Sequence, residues 1–362
     1  MDKNNIKEIA QQFAFEGTIL DITPLGEGFI NDTYTVTTEG DAPNYILQRK
    51  NHHVFPDVPA MMDNIARVTA HLRRKVEAQG GDPKREVITP IYTHDDRLYH
   101  YDGENYWAAM LLIEDAVTHA VADTPHLAYM GGRGIGRFQT MLADFDEPLV
   151  EVIKGFHNIR WRFEQWDKAL DEDKAGRKAQ LSKEIAWIES RRAKMLDFWM
   201  MVEDGRLPRR VTHNDTKLSN ILFDRRGEVL CVIDLDTVML STSLNDFGDA
   251  IRSYTNTGAE DDMNLDNVSM SMELFCSYAE GYLAECGASL TPTECEWLAF
   301  SALYITYEQT LRFLMDYIDG DSYYKIAYPD HNLVRTHAQY RLLQSMEDQY
   351  EAMRAVCIEA NK

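Results

Sequence analysis

The stretch "VTHNDTKLSNILFDRRGEVLCVIDLD", residues 211–236, constrains this chain more than any other. It packs His213, Asp215, Lys217 and Asn220 into one polar knot closed by apolar residues on both sides. The apolar runs after the knot flank "DRRG", a four-residue turn with glycine, and read as a short β-hairpin. Antiparallel strands joined by a tight turn bring their far ends together, so Asp234 is expected beside Asn220. A carboxylate and an amide oxygen so placed suit Mg²⁺, a hard cation that keeps several waters.

The elements around this knot fall into two sets. "KEIAQQFAF" has helical spacing, and "TILDITPLG", "DTYTVTT" and "NYILQRK" alternate as strands. "PAMMDNIARVTAHLRRKVEAQGG" is a helix with Met62, Ile65, Val68, Leu72 and Val76 on one face and a glycine stop. "EVITPIYTH", "RLYHYD" and "NYWAAMLLIE" return as strands. A five-stranded antiparallel sheet with one inserted helix is therefore expected up to about residue 113. Beyond it the periodicity turns helical, with the hairpin as the exception. The fold class is α+β, with a nucleotide-binding lobe over 1–113 and a mainly helical catalytic lobe over 114–362. "GGRGIG" at 131–136 has neither a preceding strand nor dinucleotide spacing; its small residues are expected to let a helix pack closely.

Charge and cysteine usage narrow the function. With 59 acidic and 37 basic residues the net charge is −22, which repels a polyanion, so nucleic acid is excluded as a partner. Five cysteines are an odd number and include no C-x-x-C pair, which reads as a reducing cytoplasm; Cys231 in "VLCVI" is expected in the core. The polar start "MDKNNIKEIAQQF" is not a signal peptide, and no stretch is long and apolar enough to span a membrane. The 11 histidines are scattered rather than paired at ligand spacing, which disfavours a metal-dependent hydrolase.

H-x-D-x(4)-N followed by an apolar pair and Asp resembles the phosphoryl-transfer loop of the kinase superfamily. Asn214 replaces the arginine of the protein-kinase loop, and Asp234-Leu235-Asp236 replaces D-F-G, as in the aminoglycoside phosphotransferase and choline kinase branch. The expected fold is thus protein-kinase-like and two-lobed. Asp215 is the expected catalytic base and Lys217 the cation that neutralises the transferring phosphoryl group. Asn220 and Asp234 are the expected metal ligands, while His213 and Asp246 brace the loop. In "LGEGFINDTY", Gly26 and Gly28 would let backbone amides approach phosphates, with Asn31 at the place expected for a third glycine. Gln48 occupies the usual position of the phosphate-binding lysine. It either hydrogen-bonds the phosphate or leaves that task to Lys217, and the second is favoured. Glu114, at the crossover, completes the expected nucleotide contacts.

Arg312 and Asp316 lie one helical turn apart, which suits either a salt bridge or an Arg fork offered to a substrate, with Tyr323 stacking on a ring. Asp249 and Arg252 suit either an ion pair with each other or a place facing the pocket, and for Arg252 the ion pair is favoured. Finally, "THNDTKLSNIL", "IDLDT", "DFGDAIR", "LRFLMDYIDGDSYY" and "YPDHNLVRT" resemble the bacterial N-acetylhexosamine 1-kinase family over nearly the whole chain. The resemblance implies ATP and Mg²⁺ as cofactors and GlcNAc or GalNAc phosphorylated at the anomeric hydroxyl. It implies Arg312 and Tyr323 as sugar contacts. Phe29 stands where that family is expected to place a polar residue touching the sugar. Other small acceptors (choline, an amino alcohol, an aminoglycoside) or a catalytically silent nucleotide-binding protein are the alternatives.

Overall fold

The computed structural model describes residues 3–26 and 30–359. The chain forms two compact units. The first comprises residues 1–118, 144–154 and 221–240, and the second residues 119–143, 155–220 and 241–362.

The first unit is built on an antiparallel sheet of β1 (Ile19–Pro24), β2 (Asp32–Thr38), β3 (Tyr45–Lys50), β4 (Pro90–Ile91), β5 (His100–Tyr101) and β6 (Tyr106–Leu111). Their order is β1-β2-β3-β6-β4, with β5 also on β6. Six strands thus stand where five were expected, one in each of the six strand segments of the sequence. The "EVITPIYTH" segment contributes only its two-residue β4, because Pro83–Glu86 forms a short helix just before it. The register sets Val36 between Ile22 and Tyr45, and Leu47 between Tyr34 and Ala109. Alternation then sends Val36, Tyr45, Leu47 and Trp107 into one core, where Ile6, Ile9 and Phe13 from the N-terminal segment join them.

The inserted helix, Val58–Ala78, starts where Asp57 accepts the Ala60 N–H and Pro59 occupies its first turn. Its expected face is buried throughout: Met62, Ile65, Val68, Leu72 and Val76. Asn64 lies on that face and draws in distant chain. Its amide donates to the carbonyls of Val150 (2.8 Å) and Val238 (3.1 Å) and accepts the Val150 N–H at 3.0 Å. The hairpin pairs Ile221 with Val232 and Leu222 with Cys231. Phe223 then exchanges backbone bonds with Val117 at 2.8 and 2.9 Å. Those bonds place the hairpin with the sheet unit, where the sequence suggested the helical half. Cys231 is buried, as expected, and burial pushes its thiol up to about 12.

The second unit is helical. Its longest helix, Pro292–Asp319, opens with a Thr291/Glu294 capping box and closes at Gly320, whose φ of 93° a side chain would resist. The charged run after Arg162 is three helices, Ile159–Glu172, Ser182–Glu189 and Arg192–Glu203, interrupted where Asp173 turns left-handed. "GGRGIG" lies in the helix Pro125–Met141, which crosses Met272–Cys286. A Cβ on Gly132 would stand 2.2 Å from the Tyr278 carbonyl oxygen, one on Gly136 2.6 Å from the Tyr282 oxygen, and one on Gly281 2.1 Å from the Tyr129 oxygen. The glycines therefore serve backbone-to-backbone packing, as the sequence implied. No described helix is long and apolar enough to cross a membrane.

Candidate active site

In the second unit the chain leaves the strand Arg210–Thr212 and turns at Asn214, whose φ is 66°. Asparagine tolerates this left-handed conformation better than most residues. The loop is held by Asp246 on the helix Ser243–Tyr254. Its carboxylate accepts the N–H groups of His213 (3.0 Å) and Asn214 (2.7 Å) and the Gln139 amide at 2.9 Å. Burial pushes the Asp246 carboxyl up, against His213 and those N–H donors. Asp249, one turn on, accepts the Thr216 N–H at 2.8 Å and pairs with Arg252 at 3.2 Å, so Arg252 is an ion-pair residue. His213 is fully buried; its Nδ1 accepts the Asp215 N–H at 3.2 Å and its ring meets Phe138 edge-on.

Asp215 is thereby presented with its carboxylate 31% exposed. Lys217 Nζ donates to its Oδ2 at 2.8 Å and Asn220 Nδ2 donates to the same oxygen at 3.0 Å. Burial would raise the Asp215 carboxyl, but Lys217, His213 and Asn220 outweigh it and hold it below its ordinary value. The group is therefore an ionised carboxylate at neutral pH. Asn220 Nδ2 also reaches the Asp215 carbonyl (2.8 Å), and this fixed amide leaves the side-chain oxygen of Asn220 as its acceptor end.

Arg312 forms no ion pair with Asp316. Asp316 instead accepts the backbone N–H groups of Ser322 (2.9 Å), Tyr323 (2.8 Å) and Tyr324 (3.0 Å), and so shapes the loop after the long helix. The Arg312 guanidinium lies 5.7, 5.8 and 5.6 Å from the ring centres of Phe156, Tyr323 and Tyr324. Burial pulls its pKa down, but Tyr324, Tyr323 and Glu308 outweigh this and raise it. Its hydrogen bond is to Gln309 at 3.3 Å. Tyr323 is 55% exposed.

In the first unit, Gly26 has a φ of 64° and open space around the missing Cβ, so backbone conformation is what requires glycine there. Gly28 and Phe29 lie outside the described residues. Gln48 accepts from Lys50 Nζ at 2.7 Å and donates to Thr33 at 3.3 Å. Glu114 accepts from Asn44 at 2.7 Å. Asp234, two residues after the end of the strand Val229–Val232, adopts a left-handed φ of 61° and opens the turn Leu235–Thr237. For a non-glycine residue such a conformation marks a turn under constraint. Asp236, two residues on, has a role that sequence reasoning missed. Lys50 is 1% exposed and its Nζ meets Asp236 Oδ1 at 2.7 Å, while Asn31 Nδ2 donates to Oδ2 at 2.7 Å. Asn31 thus ties a strand start to this buried pair. "RK" after Gln48 could have flagged Lys50, but its partner is 186 residues away. His157 and Glu308, buried against each other at 2.8 Å, were also missed, and no local motif marks them.

Among the described residues no three His, Cys, Asp or Glu side chains converge as a ready-made metal cage. Mg²⁺ does not need one, since it is held through one or two carboxylates together with waters and substrate phosphates. The oxygen donors of Asn220 and Asp234 match that chemistry.

Comparison with known proteins agrees with this architecture. The model of the phosphotransferase enzyme family matches residues 21–268, more than half of the chain. A microcompartment-associated aminopropanol kinase superposes with a TM-score of 0.65 at 14% identity, covering 97% of this chain and 98% of that one. A spectinomycin phosphotransferase in complex with ADP and spectinomycin gives 0.62 at 14% identity, over 97% and 99%. A choline kinase from Cryptosporidium parvum Iowa II gives 0.56 at 12% identity, over 97% of each chain. The fold is therefore kinase-like, with a small antiparallel-sheet N-lobe and a helical C-lobe.

Proposed function

We propose that this chain, which belongs to the phosphotransferase enzyme family, transfers the γ-phosphoryl group of ATP to the anomeric hydroxyl of an N-acetylhexosamine, GlcNAc or GalNAc, releasing the sugar 1-phosphate. The observation that carries this reading is Asp215: an ionised, part-exposed carboxylate on a loop clamped by Asp246, with a lysine in contact. Asp215 takes the proton of the attacking hydroxyl. An anomeric hydroxyl is more acidic than an ordinary alcohol, and phosphoryl transfer runs through a loose transition state, so a carboxylate of low pKa suffices. Lys217, with its side chain 35% exposed, turns from Asp215 to the γ-phosphate as ATP arrives. Lys50 is committed to Asp236, which leaves Lys217 as the phosphate cation. Asn220 and Asp234 would hold Mg²⁺, which shields charge on the phosphates.

The acceptor is assigned to Arg312 and Tyr323. A guanidinium flanked by three aromatic rings and bonded to Gln309 rather than to a carboxylate suits the acetamido carbonyl and hydroxyls of a sugar. The same charge, with Arg162 nearby, disfavours the cationic alternatives, choline and aminoglycosides. Gly26, Gly28, Gln48 and Glu114 remain the proposed nucleotide contacts. Five free cysteines fit a reducing cytoplasm as the place of action.

The test is ADP release with Mg-ATP against GlcNAc, GalNAc, glucose, galactose, choline and kanamycin, with 1-O-methyl-GlcNAc as control. Release with GlcNAc or GalNAc but not with the methyl glycoside is the expected result. Release only with choline or kanamycin would overturn the acceptor while keeping the chemistry of Asp215. ATP binding without release on any acceptor would favour a silent nucleotide-binding protein.

A further inference from the structure

His157 lies just before the helix Ile159–Glu172 with a φ of 56° and is almost completely buried. Its conformation is fixed locally. The Tyr304 hydroxyl donates to the His157 carbonyl at 2.6 Å and accepts the Ile159 N–H at 3.2 Å. The ring spans two acceptors. Nδ1 is 2.8 Å from Glu308 Oε2 and Nε2 is 3.2 Å from the carbonyl oxygen of Asn214. A carboxylate and a backbone carbonyl both only accept, so both ring nitrogens must carry hydrogen and the ring is an imidazolium.

The two ends of this bridge matter. The Asn214 carbonyl belongs to the same planar peptide as the Asp215 N–H. That N–H is held by His213 Nδ1 at 3.2 Å. One peptide plane is therefore pinned at both edges by histidines, and the Cα of Asp215 hangs directly from it. At the other end, Glu308 sits one helical turn before Arg312 on the long helix, and its second oxygen accepts from Arg162 at 3.2 Å.

We infer that His157 is a positioning residue, whose bridge between Glu308 and the Asn214 carbonyl sets the orientation of Asp215 and couples it to the helix that carries Arg312. The role of Arg312 in this chain of contacts rests on the reading given above, whereas the hold on Asp215 does not. The charged groups that act on His157 are Glu308 from the long helix and Asp249 from Ser243–Tyr254, with the loop carbonyl, and Glu308 in turn feels Arg162 and Arg312. Burial lowers the pKa of His157, but Glu308 and Asp249 together outweigh it, and the net direction is upward. The bridge is held below that raised value, while Glu308 stays ionised, and is lost as pH rises through it. Without Glu308 the loss moves to lower pH.

His157→Gln and Glu308→Gln test the assignment, with folding followed by circular dichroism and melting. A glutamine at 157 carries both its donors on one nitrogen and an acceptor at the other end, so it cannot span the two acceptors as the ring nitrogens do. Its kcat with the active acceptor should fall on the order of 100-fold, the scale on which misplacing a reacting group is felt, while KM for ATP stays unchanged. In Glu308→Gln the alkaline decline of kcat should begin at lower pH than in wild type. Hydrogen exchange supplies a reading independent of the acceptor, with residues 211–220 exchanging faster in either variant while the helix crossing at Gly132 stays protected. Wild-type kcat in His157→Gln, an unmoved alkaline limb in Glu308→Gln, or unchanged exchange over 211–220 overturns the inference. Failure of the sugar reading shows itself separately, as a wild-type protein that releases no ADP with any N-acetylhexosamine yet still loses protection over 211–220 in the variants.

Discussion

At the scale of single residues, the low pKa of Asp215 and the burial of Lys50 make opposite demands on a carboxylate–lysine pair. Asp215 and Lys217 are both about one-third exposed, so their contact can open when phosphate arrives at little cost. Asp215→Asn should lower kcat by about 10²–10⁴-fold, the usual span for a general base, while ATP binding measured by calorimetry stays intact. Lys217→Ala should reduce turnover by about 10²-fold or more, as loss of a charge stabiliser does; unchanged turnover would move the phosphate cation elsewhere. Lys50 and Asp236 cannot separate so cheaply, since neither side chain is more than 4% exposed. Lys50→Met should cost about 3–5 kcal/mol in urea unfolding, because it strands a buried carboxylate, and the double variant Lys50→Met/Asp236→Asn should recover part of it.

At the scale of elements, the helix crossing and the loop after the long helix decide where functional groups go. Gly132 meets the backbone of Met272–Cys286 rather than a side chain that could move aside. Gly132→Ala should therefore lower stability by about 1–3 kcal/mol, despite its better helix propensity, and a raised melting temperature would contradict the close-packing reading. That crossing fixes Gln139, whose amide donates to Asp246 and accepts from the Tyr282 hydroxyl at 2.6 Å, so packing reaches the catalytic loop through one side chain. Asp316 does comparable work for Tyr323 by gathering successive backbone N–H groups. Sequence spacing alone offers Asp316 to Arg312 at i,i+4, and the three N–H donors of the loop outbid that single cation.

At the scale of the molecule, acid response gathers on Glu308. Burial would raise its carboxyl, but His157, Arg162 and Arg312 hold it down at about 2, against an ordinary 4.5. A depressed carboxyl stabilises the fold above the ordinary value, and that contribution is lost as pH falls through about 2. The difference in unfolding free energy between wild type and Glu308→Gln should therefore be full from pH 4.5 up to the titration of His157 and shrink on acidification below 4.5; a gap independent of pH would refute the ionised pair. Much of this architecture was legible in the chain. The sheet strands, the inserted helix, the hairpin and the role of "GGRGIG" follow from short-range patterns, because periodicity, turn chemistry and close motif spacing are local. What tertiary structure alone decided lies at long range. It joined Lys50 to Asp236, His157 to Glu308, and the hairpin to Val117, across separations that no local pattern encodes. A buried charge takes whichever partner folding brings to it, and that choice is made by packing rather than by neighbours in the sequence.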